Sequence, residues 1–453
     1  MPMLGFSSRL RRFSDEPRLL EAAERADVSS VRELLDAGAN PDVRDVYRYT
    51  PLMRAVKRAT EPTERGAVID LLLASGADMN AVEQAGQTAL MHAAHAGNSG
   101  AVQRLLAAGA NVEARAVDNR DALHIAFSRG NLEIARALAR AELSIQGSAR
   151  RPLCAALLGD ARLVERSLAD GDRAVVADHG GLTPLHAAAL AGDAALIDLL
   201  ASAGASLDAQ DSEGVTPLIQ AARSGRRDVV VRLIERGASS SMRMRTMYGD
   251  DALSAAAREG HEDVVRGLLA GGAAIDAIHP DGNGSALTAA ASRGRERIVA
   301  LLLEQGASAR GVGALCAAAS SGSAAIVKLL LSAGADPNER LEIPEPHNIS
   351  ISPLVNAVVA ATPAIVALLV EAGADVNARD ARGDTALIRL AEVASKPSEQ
   401  VEIARILLAA GAEVNAVGEH HRTALWLARQ NGNTILADAL IEAGADPALV
   451  PTW

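Results

Sequence analysis

The residues of this chain that could do chemistry are its few histidines, its two cysteines and the carboxylates near them. His261 followed by Glu262 opens like an HExxH helix, in which two histidines one turn apart hold zinc while the glutamate activates water. Val265 stands where the second histidine would be, so the motif is incomplete. His92 and His95 lie three apart on one helical face and His420 and His421 are adjacent, but neither pair has a third ligand nearby in sequence. Phosphate-cradling loops need Gly followed by Lys, and none of Lys57, Lys328 and Lys396 follows a glycine. There is no CxxC and no GxSxG. These observations predict no catalytic residue, no metal and no cofactor. The contrasting alternative is an enzyme with a cryptic site around Cys154 and His179, against which stands a plain packing role for a lone thiol.

Binding chemistry is better represented. Only 2% of the residues are aromatic, yet all three tyrosines, Tyr47, Tyr49 and Tyr248, fall on turns between helical stretches. They are either interface anchors or local turn packing. Residues 239–249, SSSMRMRTMYG, bring Met242, Met244 and Met247 together with Arg243, Arg245 and Tyr248. Methionines adapt to apolar surfaces and guanidiniums pair with carboxylates, so this segment predicts an acidic protein partner with an apolar centre. Arg223, Arg258 and Arg293 recur at the same place in successive units, where they form an anion-binding row or satisfy the negative ends of their own helices.

The elements that must position these residues are best read in residues 178–211, DHGGLTPLHAAALAGDAALIDLLASAGASLDAQD. Thr183 before Pro184 supplies a capping hydroxyl and a residue with helical φ, so a helix opens there. Leu185, Ala188 and Ala189 give it a slim apolar face, and Gly192 ends it. A second helix from Asp193 carries Leu196, Ile197, Leu199 and Leu200 on its buried side and stops at Gly204. Two such helices cannot close a core alone and need a like neighbour on each side.

The TPLH run at Thr183–His186 and a Gly-Ala stop repeated at Gly38, Gly76, Gly109, Gly204, Gly237, Gly272, Gly306, Gly334, Gly373, Gly411 and Gly444 resemble the ankyrin repeat, at its period of about 33 residues. The resemblance covers nearly the whole chain as 13 units. It implies an all-α, ankyrin-repeat solenoid of stacked helix pairs with projecting fingers and a concave binding face. It also implies that His124 and His186 hydrogen-bond neighbouring loops rather than bind ligands. The same slot holds Met53, Met91, Cys316 and Trp426, the variety of a packing site.

Residues 1–16 read as a tail, 17–145 as a first block of units one to four, and 146–453 as a second block of units five to thirteen. Between Arg140 and Arg151 the pattern either kinks at a seam or has merely decayed in a normally packed unit. Units two and twelve carry insertions between their helices, at Arg58–Gly66 and Glu392–Gln400, and the prolines of LEIPEPHNISISP favour an extended finger. A net charge of −11 excludes a general nucleic-acid binder. Cys154 and Cys316 lie in different units, too far apart to bridge, and no stretch reads as a signal peptide or membrane span. A cytoplasmic, monomeric, non-catalytic protein-binding module is expected, with self-association an alternative. Scaffolding and inhibition of a bound enzyme or toxin stay equally open.

Overall fold

The computed structural model describes residues 17–57, 63–145, 151–169, 177–238, 242, 244–247, 249–278, 285–311, 313–343, 349–393 and 396–450, with side chains omitted at 341–351. The chain forms two compact units, 1–244 and 245–453. The first holds seven helix pairs among its described residues. These are α1 (17–25) with α2 (Val28–Asp36), α3 (Pro51–Val56) with α4 (Thr63–Ala74), α5 (Ala89–Ala96) with α6 (Ser99–Ala107), and α7 (Ala122–Ser128) with α8 (Leu132–Leu143). They continue as α9 (Arg151–Leu158) with α10 (Ala161–Ala169), α11 (Pro184–Ala191) with α12 (Ala194–Ser202), and α13 (Pro217–Arg223) with α14 (Arg227–Glu235). The second holds six. These are α15 (Ala252–Glu259) with α16 (Glu262–Ala270), α17 (Ala286–Ser292) with α18 (Glu296–Glu304), and α19 (Ala314–Ser321) with α20 (Ala324–Ser332). After β1 (Leu341–Ile343) and β2 (Ile349–Ile351) come α21 (Pro353–Val359) with α22 (Pro363–Glu371), α23 (Ala386–Glu392) with α24 (Pro397–Ala409), and α25 (Ala424–Gln430) with α26 (Thr434–Glu442).

The local chemistry that opens and closes these helices is the chemistry the sequence carries. Thr50, Thr183 and Thr216 each accept the backbone N–H three residues on, at 3.3, 3.4 and 3.2 Å, with proline next in line. Second helices end where Gly204 and its counterparts turn left-handed. Gly204 has φ 90°, and Ala205 then donates to Leu200 at 3.0 Å.

First helices pack on first helices and second on second: α5 touches α3 and α7, α17 touches α15 and α19, and α6 lies between α4 and α8. The layers between them are thin. Leu196, Ile197 and Leu200 of α12 are buried, as are Ala187, Ala188 and Ala189 of α11. A buried leucine contributes ~2 kcal/mol, so each pair depends on apolar area shared with the next.

Two expectations are refined. The insertions of units two and twelve are not wholly loop, because Thr63–Gly66 and Pro397–Gln400 add a turn to the start of α4 and α24. Each buries one polar side chain that holds the chain beside it: Arg65 donates to the Ala55 carbonyl at 2.8 Å, and Gln400 donates to the Leu390 carbonyl at 3.1 Å. The two flanks of the proline-rich finger pair with each other, Leu341 opposite Ile351 and Ile343 opposite Ile349 in an antiparallel ribbon, while Pro344 and Pro346 lie outside the described residues. Within the first unit α9 packs chiefly on α8 and α11.

Candidate functional site

A finger in this protein is a turn held by one carboxylate. Asp45 Oδ1 accepts the N–H groups of Tyr47 and Tyr49, both at 2.9 Å, and Asp211 Oδ1 accepts those of Glu213 and Val215 at 2.9 and 2.8 Å. Asp178 and Asp380 repeat the pattern. An arginine at the end of the following first helix completes the unit in some fingers: Arg54 binds Asp45, and Arg389 lies 3.7 Å from Asp380. Successive tips are tied by backbone bonds, from Gln84 to the Tyr47 carbonyl, Val117 to Ala85 at 2.9 Å, and Ser212 to Gly180 at 2.8 Å.

This construction places the residues singled out by sequence. Tyr47 stands at a tip and is 60% exposed. Tyr49 faces inward, its ring 5.3 Å from that of His92 and capped by the Lys57 ammonium at 3.6 Å from the ring centre. Arg223 reaches the Gln220 side chain at 2.6 Å and the Phe127 carbonyl at 3.4 Å, Arg258 is taken up by Asp250, and Arg293 is exposed. Both Arg223 and Arg258 stand in the last turn of their helices. Met242 and Met244 are half-buried, Met247 is 66% exposed, and Arg245 lies 3.7 Å from Asp251. Arg243 and Tyr248 lie outside the described residues.

Sequence reasoning missed the neighbours of Tyr47. Val46 and Val117 are 83% and 80% exposed at the tips of their turns, and Val82, 37% exposed, precedes the turn held by Glu83. Exposed Arg44, Arg48 and Arg115 flank them, and Arg44 donates to the Val82 carbonyl at 3.1 Å. The signal was present as an apolar residue at the crest of two of these turns, at Val46 and Val117, where a solvated loop has no use for one.

The histidines separate by environment. His186 is fully buried: its Nδ1 accepts from the Thr183 N–H at 3.2 Å and from the Thr183 hydroxyl at 2.8 Å, and its Nε2–H donates to the Val215 carbonyl of the next finger at 2.9 Å. Burial holds it down at about 4. Burial, reinforced by Lys57, brings His92 to the same value, and His95 is taken up by Arg129. His420 and His421 lie on an exposed turn.

His124 differs. Its Nδ1–H donates to Asp121 Oδ1 at 2.8 Å and its Nε2 lies 3.2 Å from Asp178 Oδ1, with His179 stacked at 4.7 Å between ring centres. Burial alone would lower it, but the hydrogen bonds and charges of the two aspartates carry it to about 9. His179 is pushed the other way, by burial and by the neighbouring His124. Thus the finger of unit four meets the finger of unit six directly, and Arg120 pairs with Glu213 one unit further on at 2.8 Å.

Cys154 is buried in α9. Burial and Glu339 push the Cys316 thiol far up, which suits packing and not nucleophilic attack. A recess of about 460 Å³ opens between α23, α24 and α26, but Gln400 and Asn431 in its lining donate to the Leu390 and Ala391 carbonyls as internal braces. No described helix is long and apolar enough to cross a membrane.

Stacked helix pairs carrying carboxylate-held fingers define a repeat-scaffold protein. A family model for ankyrin repeats in three copies matches residues 59–147, 153–244, 253–340 and 352–450, and the chain belongs to the ankyrin-repeat family. It is similar to the mouse B-cell lymphoma 3 protein homolog, at 36% identity over 120 residues, 26% of this chain and 27% of that protein. It is also similar to the bovine cyclin-dependent kinase 4 inhibitor B, at 35% identity over 121 residues, 26% of this chain and 88% of that one. The chain therefore spans about a quarter of the length of the mouse relative and most of the bovine one. Among solved structures, the human ASB11 ankyrin repeat domain matches at 26% identity and a TM-score of 0.43, covering 52% of this chain and all of that domain.

Proposed function

We propose that the chain is a non-catalytic protein-binding module whose first unit grips an acidic partner surface with an apolar centre on its finger tips. The observation that carries this reading is the exposed series Val46, Tyr47 and Val117, fixed on hydrogen-bonded tips and flanked by Arg44, Arg48 and Arg115. Apolar side chains on a rigid ridge cost little entropy to bury against a partner, and the flanking cations supply charge complementarity. Met247 with Met242, Met244, Arg245, Arg243 and Tyr248 is the second contact segment of this reading, with the concave side of the first helices between fingers.

A sharper version is that binding inhibits the partner, as the name of the bovine relative suggests for that protein. The test uses full-length protein to capture partners, followed by affinity measurement with the partner recovered. Val46→Ser, Tyr47→Ala and Val117→Ser together are expected to weaken binding about 100-fold with thermal unfolding unchanged, because exposed tips hold no core contacts. Undiminished affinity in the triple variant would sink the reading.

A further inference from the structure

The geometry assigns a divalent transition-metal site to Asp121, His124 and His179, where the finger of unit four meets that of unit six. One donor atom from each of the three lies within 4.8 Å of the others. Ligands around a tetrahedral zinc stand about 3.3 Å apart, given bonds of about 2.0–2.1 Å. His179 Nε2 is already 3.4 Å from Asp121 Oδ2.

Each donor is set by an element that has another reason to be rigid. Asp121 is the N-cap of α7, its Oδ1 accepting the His124 N–H at 3.0 Å, which leaves Oδ2 on the side of His179. His124 sits one turn into the same helix with Nδ1 towards Asp121, and its Nε2 meets Asp178 at 3.1 Å. That is the carboxylate–imidazole arrangement that orients a metal-binding histidine: with Nδ1 on the ion, Nε2–H donates to Asp178. His179 Nε2 is a buried nitrogen with no hydrogen-bond partner, since its approach to Asp121 lacks hydrogen-bond geometry.

Without metal, the proton on His124 Nδ1 bridges to Asp121. Binding the cation releases that proton and puts two positive charges among two buried carboxylates and two neutral imidazoles, so the site becomes electrically balanced. Two imidazoles and one carboxylate suit zinc and its spectroscopic substitute cobalt, with water in the fourth position. Gly180 makes the approach of the two fingers possible, because a Cβ there would stand 2.0 Å from His124 Nε2. The ion would tie together fingers two units apart, across the place where α9 packs on α8.

The test is calorimetric titration of chelator-treated full-length protein with Zn²⁺, paired with visible absorption after Co²⁺ addition. One equivalent is expected to bind in the micromolar range or tighter, with the intense bands of four-coordinate cobalt. Asp178→Asn should weaken binding by about 10- to 100-fold as an outer partner, and His179→Ala by more than ~100-fold as a ligand. His179 sits on a finger turn outside the helices and caps none of them, so its variant keeps the test decisive if Asp178→Asn does not fold. The paired His420→Ala, His421→Ala variant should bind like wild type. No stoichiometric uptake, wild-type affinity in His179→Ala, or loss of binding in the His420, His421 variant would each overturn the assignment.

Discussion

Acidifying the protein from about pH 7 to about pH 4 is expected to remove on the order of 5 kcal/mol of stability, most of it through His186 and His92. Both imidazoles titrate near 6.5 when unfolded and stay neutral to about 4 when folded. Between those limits the unfolded chain holds more protons, so stability falls as pH falls, by about 1.4 kcal/mol per pH unit for each ring. The loss at His186 is chemically specific. Its Nδ1 accepts both the N–H and the hydroxyl of Thr183; a proton there abolishes the bond from the N–H and forces the one with the hydroxyl to reverse, at the start of α11. Urea unfolding followed by circular dichroism at several pH values gives the slope, and His186→Gln should remove about half of it. A midpoint that stays flat between pH 6.5 and 4.5 would contradict this account.

Gly181→Ala is expected to destabilise the first unit by about 3 kcal/mol or more. Gly181 has φ 81°, where an L side chain costs ~1–2 kcal/mol. An added Cβ would also stand 2.7 Å from Asp211 Cα and 2.9 Å from the Gln210 carbonyl, both backbone atoms of the next finger. Backbone cannot swing aside as a flexible side chain does, so the fingers must separate and the Ser212–Gly180 bond opens. Gly383 provides the control: it occupies the same place in its finger at φ 79° with nothing within 4 Å, and Gly383→Ala should cost only the conformational part. The two measured losses should therefore differ by ~2 kcal/mol, and equal losses would show that finger stacking contributes nothing.

The fold was legible because every signal that specifies it is local and repeated. Thr183-Pro184 opens a helix, Gly204 closes one, and the Leu196, Ile197 and Leu200 spacing chooses the buried face, without reference to distant residues. The insertions were harder, since Arg65 and Gln400 look like solvated loop residues until the carbonyls they satisfy are known. Tyr47 was visible as an aromatic with no local use, whereas Val46 and Val117 looked ordinary because apolar residues usually signal burial.

The sequence by itself determined a stack of helix pairs, the slots for its capping residues and a surface rich in turns, because helix start, stop and periodicity act over a few residues. Only the tertiary structure decided which arginines are already engaged by finger carboxylates and which valines stand in water. It alone brought Asp121 and His124 against Asp178 and His179, across 54 positions of chain. That meeting depends on α9 packing against α8 and α11, an arrangement set by competition between whole helix faces that no short motif records.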